Sequence, residues 1–497
     1  MNFRTSTPHR FSFRPMAVAA LAVLGVGTSA QAQTIIHNFA GLGLAETSLL
    51  KGRYAPPDTN GAIGINNFVE FINGGYAVYD RSGMRATYIT DSQFWRNAGV
   101  SAALVNEGLS DTRIKYDPGS QRWFAAEITV ASPAFVNNTV LLAVSKTSNP
   151  LDGWTSTSYN VAGATTFNDY PTLNIDANAV YIGFNDFSGA GNFKSVTLSS
   201  IPKSSLLGVA PTTAGIATFT QANAAMGFTP QGITNYGTGY TGSKVIAVSA
   251  DAFNQVQVTA INNTAAAGAT LGATQSITVA HDGIGTLARQ PNGSRIIDTL
   301  DDRISGTVQQ VGNRIYATNA FNDGNQGSNT AAGFNSVHWM VIDATTGALL
   351  QEGLLNDATH DYWQPSIAAN ENGDVVIGYN KSGANMNISS FAAIGHTVGG
   401  VLSFTDDLLL ATSAVGDYTD GFNSPPSRWG DYSATMVDPT DSTVFWTIQQ
   451  LAADSRNFGT QITAIRVAAA VPEPETYALM LAGLAALGLG ARRRKAA

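Results

Sequence analysis

The chain has 497 residues, of which only 12% are charged, with 50 glycines and no cysteine. The missing cysteine excludes thiol catalysis, thiolate metal sites and disulfides, so stability must come from burial, for which the chain is long enough. Between its two ends, 20 basic face 33 acidic side chains, a net charge near −13 without any Lys/Arg run, which disfavours nucleic acid as a partner.

At the N-terminus, Arg4, Arg10 and Arg14 precede the apolar stretch MAVAALAVLGVG, and Ala30 and Ala32 bracket Gln31 in the small-residue pattern that a signal peptidase accepts. Residues 1–32 therefore read as a signal peptide cut before Gln33; a buried N-terminal helix is the competing reading. Residues 33–53 read as a lead-in, and 54–468 as one body.

That body is rich in Gly, Asn, Thr and Ser and lacks long patterns of period 3.6, so it reads as all-β. A unit recurs in it: a short β-rich run, a turn of Asp, Asn, Gly or Pro, then a run of Val, Ile and aromatics. Clear copies are PTLNIDANAVYIGFN from Pro171, PSIAANENGDVVIGYN from Pro365 and YSATMVDPTDSTVFWTIQ from Tyr432. Looser ones start at Gly61, Arg113 and Gly306, and a faint one at Gly232, so that starts lie 52 to 74 residues apart. One such hairpin cannot bury both faces, whereas copies stacked radially can. The pattern predicts a β-propeller of seven four-stranded blades, each copy supplying the two inner strands; a β-sandwich or β-helix is the alternative. Trp154 is expected between blades.

Just before several inner strands stands an Asp, often with Arg or an aromatic. These are Asp58 with Asn60, Asp111 with Arg113, Asp169 with Tyr170, Asp302 with Arg303, Asp361 with Trp363, and Arg428 with Asp431. In a propeller such positions converge on the central channel. Three uses compete: caps of the turns, paired with neighbouring Arg; a Ca²⁺ site of carboxylate and carbonyl oxygens; and carbohydrate recognition, with Trp363 and Trp429 covering sugar rings. Glycoside hydrolysis needs two carboxylates at a defined separation, but the sialidase S-x-D-x-G-x-x-W box is absent and Glu107, Glu127 and Glu352 lie in no catalytic motif. The six histidines show no zinc-binding spacing. FNDGNQGSN from Phe321 and ANENGDV from Ala369 have calcium-loop spacing, although the latter is more simply a hairpin turn.

The C-terminal residues 476–491 are 16 without a charge, about 24 Å as a helix against a hydrocarbon core of roughly 30 Å. Arg492, Arg493, Arg494 and Lys495 follow, a flank that stays cytoplasmic, so this single hydrophobic helix is a marginal span suited to transient membrane association. Val471-Pro472-Glu473-Pro474 (motif 471–475), the helix 476–491 and the basic tail 492–495 resemble, in order and position, the PEP-CTERM sorting domain of exported Gram-negative proteins, here 469–497. The resemblance implies an exosortase, a membrane transpeptidase-like enzyme, that cuts near the Pro-Glu-Pro, often alongside exopolysaccharide production. It implies an inner-membrane tether before cutting and a cell-surface or extracellular location after it. The segments PPDTNGAIGINNFVEFINGGYAVYDRSG, QPNGSRIIDTLDDR and SRWGDYSATMVDPTD resemble a broad group of secreted, propeller-like proteins without a settled activity. Together these features lead to the expectation of an exported, non-enzymatic propeller that binds polysaccharide or a matrix component. A surface glycosidase or lyase using the Asp ring is the alternative, and a structural coat protein the second.

Overall fold

The computed structural model describes residues 33–130, 136–161, 165–222, 225–280, 283–325, 327–328, 332–422 and 426–468. The expected signal peptide with Ala30 and Ala32, and the expected sorting segment with its motif, helix and basic tail, lie outside the described residues.

The Val-, Ile- and aromatic-rich runs form strands buried on both faces, such as Arg122–Thr129, Ala179–Ser188 and Asp374–Gly383. A strand reads as a continuous apolar run when sheets cover it on either side. The polar turns between runs close hairpins: in ANENGDV, Asn370 and Asp374 bond each other's backbone, and Gly373 takes the positive φ of 85° that the turn requires.

Among the described residues the strands form antiparallel meanders of four, of which the fourth and fifth are joined into one eight-stranded sheet by the parallel pairing of Ile233 with Val308 and Thr234 with Gln309, beside a separate two-stranded hairpin. In chain order the meanders occupy 61–89, 109–159, 166–222, 228–278, 308–355, 360–412 and 434–466, the last completed by Thr34–Gly43. Each repeated sequence unit falls on the first two strands of a different meander. In the third, the first strand is interrupted between Thr166–Asp169 and Asn174–Ile175, both of which pair with Ala179–Ser188.

First strands pack side by side in a ring. Gly61–Ile63 lies against Leu109–Asp117 and Ala434–Asp438, and Phe228–Thr234 lies against Asn174–Ile175 and Val308–Val311. His360–Ala369 joins Val308–Val311 to Ala434–Asp438. Arg113 bridges the remaining step by donating from Nε to the Pro171 carbonyl at 2.8 Å. This closed ring of radially stacked sheets is a β-propeller.

The lead-in expected over 33–53 is corrected in part: Thr34–Gly43 is the outer strand of the last meander, paired antiparallel with Phe458–Arg466. Without it that meander would present an unpaired edge. The seam is reinforced by buried groups. Glu70, fully buried in the first meander, accepts from Leu42 N and Tyr79 Oη at 2.9 Å each and from the Thr460 hydroxyl. Trp446 is fully buried, its ring 5.5 Å from Phe68 and 5.8 Å from His37, and its indole N–H donates to Asp438 at 2.9 Å. Trp154 sits between the first two meanders, against Phe94 at 5.1 Å and Tyr76 at 6.2 Å. Among the described residues no helix is long and apolar enough to cross a membrane.

Replacing Trp446 by Ala removes a ring shared by the first and last sheets and leaves Asp438 short of a donor. The loss is expected to be about 3–5 kcal/mol, read from urea unfolding. A loss under about 1 kcal/mol would mean that this seam contributes little to holding the ring closed.

Candidate functional site

The first strand of each meander must reach the crowded axis from a loop, and six of these approaches use a left-handed residue. They are Asp58 (φ 49°), Asp111 (65°), Tyr170 (57°), Thr229 (57°), Leu300 (64°) and Gln364 (52°). Non-glycine residues hold this conformation at a cost of about 1–3 kcal/mol each, so neighbouring contacts must over-determine it. Around one side of the ring those contacts are carboxylates. Asp58 accepts from the backbone N of Asp431 at 2.9 Å and from the Asn73 amide at 2.8 Å. The Asn73 carbonyl oxygen accepts from Asp111 N at 2.9 Å, and Asp111 in turn accepts from Tyr170 N at 3.1 Å and Ser110 Oγ at 2.8 Å. Tyr170 Oη returns to the Asp431 carbonyl at 2.7 Å. One chain of hydrogen bonds thus links the last, first, second and third meanders.

These residues surround a cavity of about 430 Å³ at one mouth of the channel. Its walls carry five carboxylates (Asp58, Asp111, Asp169, Asp298 and Asp431) and two guanidinium groups (Arg303 and Arg428), with Asn73, Ser110 and a partly exposed Tyr54. Arg428 is ion-paired with Asp431 and lies 3.6 Å from Asp298. Arg303 is held in a fork by Asp301, two bonds of 2.6 Å, with its guanidinium 4.4 Å from the centre of the Tyr170 ring.

Six of the residues expected at the channel therefore line the cavity: Asp58, Asp111, Asp169, Arg303, Arg428 and Asp431. Arg113 lies below it, over the Tyr432 ring at 3.2 Å and beside Tyr170 at 5.3 Å. Others are elsewhere. Asp361 accepts from Arg289 at 2.7 Å and from Asn335 N at 3.0 Å, and so fastens the inserted hairpin of Ala288–Arg289 and Arg295–Ile297. Asp302 is buried outside the cavity, where burial and then Asp301 push its carboxyl up to about 7. Trp363 and Trp429 are fully buried and pack edge to face 6.1 Å apart, with the Trp429 indole N–H donating to Asn380 at 3.1 Å. Neither can cover a sugar ring, because inter-sheet packing has taken both faces. Glu352 pairs with His338 at 2.9 Å, and buried Glu127 accepts from Trp95.

Asp298, Asn73 and Tyr54 were missed. Asp298 stands four residues before Asp302 in IIDTLDDR, and only the loop between the fourth and fifth meanders decides which aspartate reaches the axis. Among the described residues no three His, Asp or Glu side chains converge as metal ligands.

Residues 470–495 match the PEP-CTERM protein-sorting motif, which indicates an exported protein processed by an exosortase. No curated protein sequence matches the chain. Among solved structures the body is similar to an α-L-arabinofuranosidase from Fusarium graminearum, with 10% identity and a TM-score of 0.38 over 82% of this chain and 92% of that one. It is also similar to the Dos1 propeller (8%, 0.37, covering 82% and 77%) and to TolB from Acinetobacter baumannii (10%, 0.30, covering 82% and 80%). At such scores these likenesses carry no argument about activity.

Asp58, Asp111, Asp169 and Asp298 hold their protons unusually well. Burial, then the charges of Asp111 and Asp431, push Asp169 up to about 7. Asp58 and Asp111 are raised by burial and then by Asp431, and Asp298 chiefly by burial. Between about pH 4, where unfolded aspartates titrate, and pH 7, the folded state holds protons that the unfolded chain has released. The stability these groups contribute is therefore fully present below about pH 4 and is lost as pH rises toward 7. Asp169→Asn removes the penalty of ionising this site, so it is expected to raise the thermal midpoint at pH 8 relative to the unmodified protein and to leave it nearly unchanged at pH 4. A variant destabilised equally at both values would show that the Asp169 carboxyl does not hold its proton.

Proposed function

We propose that this exported propeller binds a hydroxyl-rich saccharide in the channel-mouth cavity, without converting it. The observation that supports this most is the lining: carboxyl oxygens that can accept from sugar hydroxyls stand with two guanidinium donors in a recess of about 430 Å³, within the size range of small-ligand sites. Five acidic groups against two guanidiniums favour neutral or cationic sugars over acidic ones, increasingly so as the carboxyls release their protons with rising pH. In this reading residues 1–32 are removed by signal peptidase, 469–497 serve the exosortase, and the body, 54–468 with the strand Thr34–Gly43, is delivered to the cell surface or matrix.

One observation favours a second reading. Asp169 keeps its proton up to about 7, as a general acid must, while Asp431 stands in the same cavity as a carboxylate ion-paired with Arg428. These are the two roles of a glycoside hydrolase.

A glycan array read together with a product-release screen separates the two. Binding of neutral glycans without products, weakened at least tenfold in Asp58→Asn, is the expected result. Products that disappear in Asp169→Asn would replace binding by hydrolysis, and a protein that ignores glycans altogether would overturn both readings and leave a coat role.

A further inference from the structure

Below the carboxylates the channel changes sign. Arg113 and Lys115 are two residues apart on the strand Leu109–Asp117 and so share its axial face. The Arg113 side chain is spent on the Tyr432 ring, on the Pro171 carbonyl and, at 3.4 Å, on the Ser305 carbonyl. Its remaining nitrogen, Nη2, has no hydrogen-bond partner, although Arg113 is only 6% exposed. Lys115 Nζ donates to Thr307 Oγ1 at 2.6 Å, and neither cation forms an ion pair among the described residues. Of the two acidic residues on this strand, Asp111, which feels the Arg113 charge, uses its oxygens on Ser110 and Tyr170, and Asp117 is paired with Lys203 at 2.8 Å.

The two cations line an interior cavity of about 10 Å³, room for about one small sphere. Asn60 lines it too; its amide oxygen accepts from Ile114 N at 2.9 Å, and its NH₂ makes no hydrogen bond among the described residues. The cavity is thus rich in donors that lack acceptors. It also shares Asn60, Ile114, Lys115 and Thr307 with a recess of about 50 Å³ that is bounded by Tyr116 and Tyr236.

We propose that a single small monovalent anion, chloride in ordinary solution, occupies this cavity between Arg113 and Lys115. Buried charge without a counter-ion is strongly disfavoured, and a water molecule here would accept hydrogen bonds without balancing charge. Burial, and then the Arg113 charge, pull the Lys115 ammonium down to about 7, the response of a cation that lacks an anion. The inference is independent of what the upper cavity binds.

Thermal unfolding of the full chain is followed at constant ionic strength while sodium gluconate is exchanged for sodium chloride or bromide. A ligand that binds only the folded state raises the midpoint, so a saturable rise of a few degrees is expected, and it is expected to vanish in Lys115→Met. An unchanged midpoint, or a rise that persists in the variant, would overturn the site. Crystals grown in bromide supply a second readout should Lys115→Met fail to fold. One anomalous peak within reach of Arg113 Nη2 and Lys115 Nζ supports the site, and a water in that place overturns it.

Discussion

The structure depends on how the first strands meet at the axis. The chain approaches the axis through left-handed residues, Asp58, Asp111 and Tyr170 among them, and the backbone donors around them need acceptors. Asp58, Asn73 and Asp111 supply these acceptors across meander boundaries, to Asp431 N, Asp111 N and Tyr170 N. The capping role and the cavity are therefore one arrangement: a carboxylate that accepts from a neighbouring strand also stands at the channel mouth. Burying several together raises their affinity for protons, which costs stability at neutral pH.

The hairpin pattern was legible because it is written locally. In PTLNIDANAVYIGFN or PSIAANENGDVVIGYN the turn residues and the doubly buried second strand lie within about sixteen residues, and sheet stacking demands the apolar run. Thr34–Gly43 was not legible, because its partner Phe458–Arg466 lies more than 400 residues away and its own burial is partial. Asp58, Asp111, Asp169 and Asp431 could be placed because each stands close to the start of a first strand. Asp302 stands closer to its first strand than Asp298, yet Asp298 lines the cavity, where an inserted hairpin lengthens the approach. Trp363 and Trp429 show a different limit: next to an aspartate an indole can face either the channel or the inter-sheet core, and only packing decides.

Along the channel the charge is layered. Carboxylates with two guanidiniums occupy one mouth, Arg113 stacked on tyrosines forms the floor, and Lys115 follows beneath. Arg113, stacked on Tyr432, stands between the two, and the two proposed ligands differ in character accordingly. The sorting motif at 470–495 bears on where the body is carried, and, on the proposed function, the channel bears on what it meets there.

The central claim, that the channel-mouth aspartates are exposed to ligand and not merely structural caps, is tested most directly by carbon NMR titration of aspartate carboxyls, without and with a bound neutral oligosaccharide. The account predicts at least one aspartate titrating near pH 7 in the free protein, assigned to Asp169 by its loss in Asp169→Asn, with its midpoint displaced when the saccharide binds. A set of aspartates all titrating below about pH 4.5, unmoved by the saccharide, would contradict it.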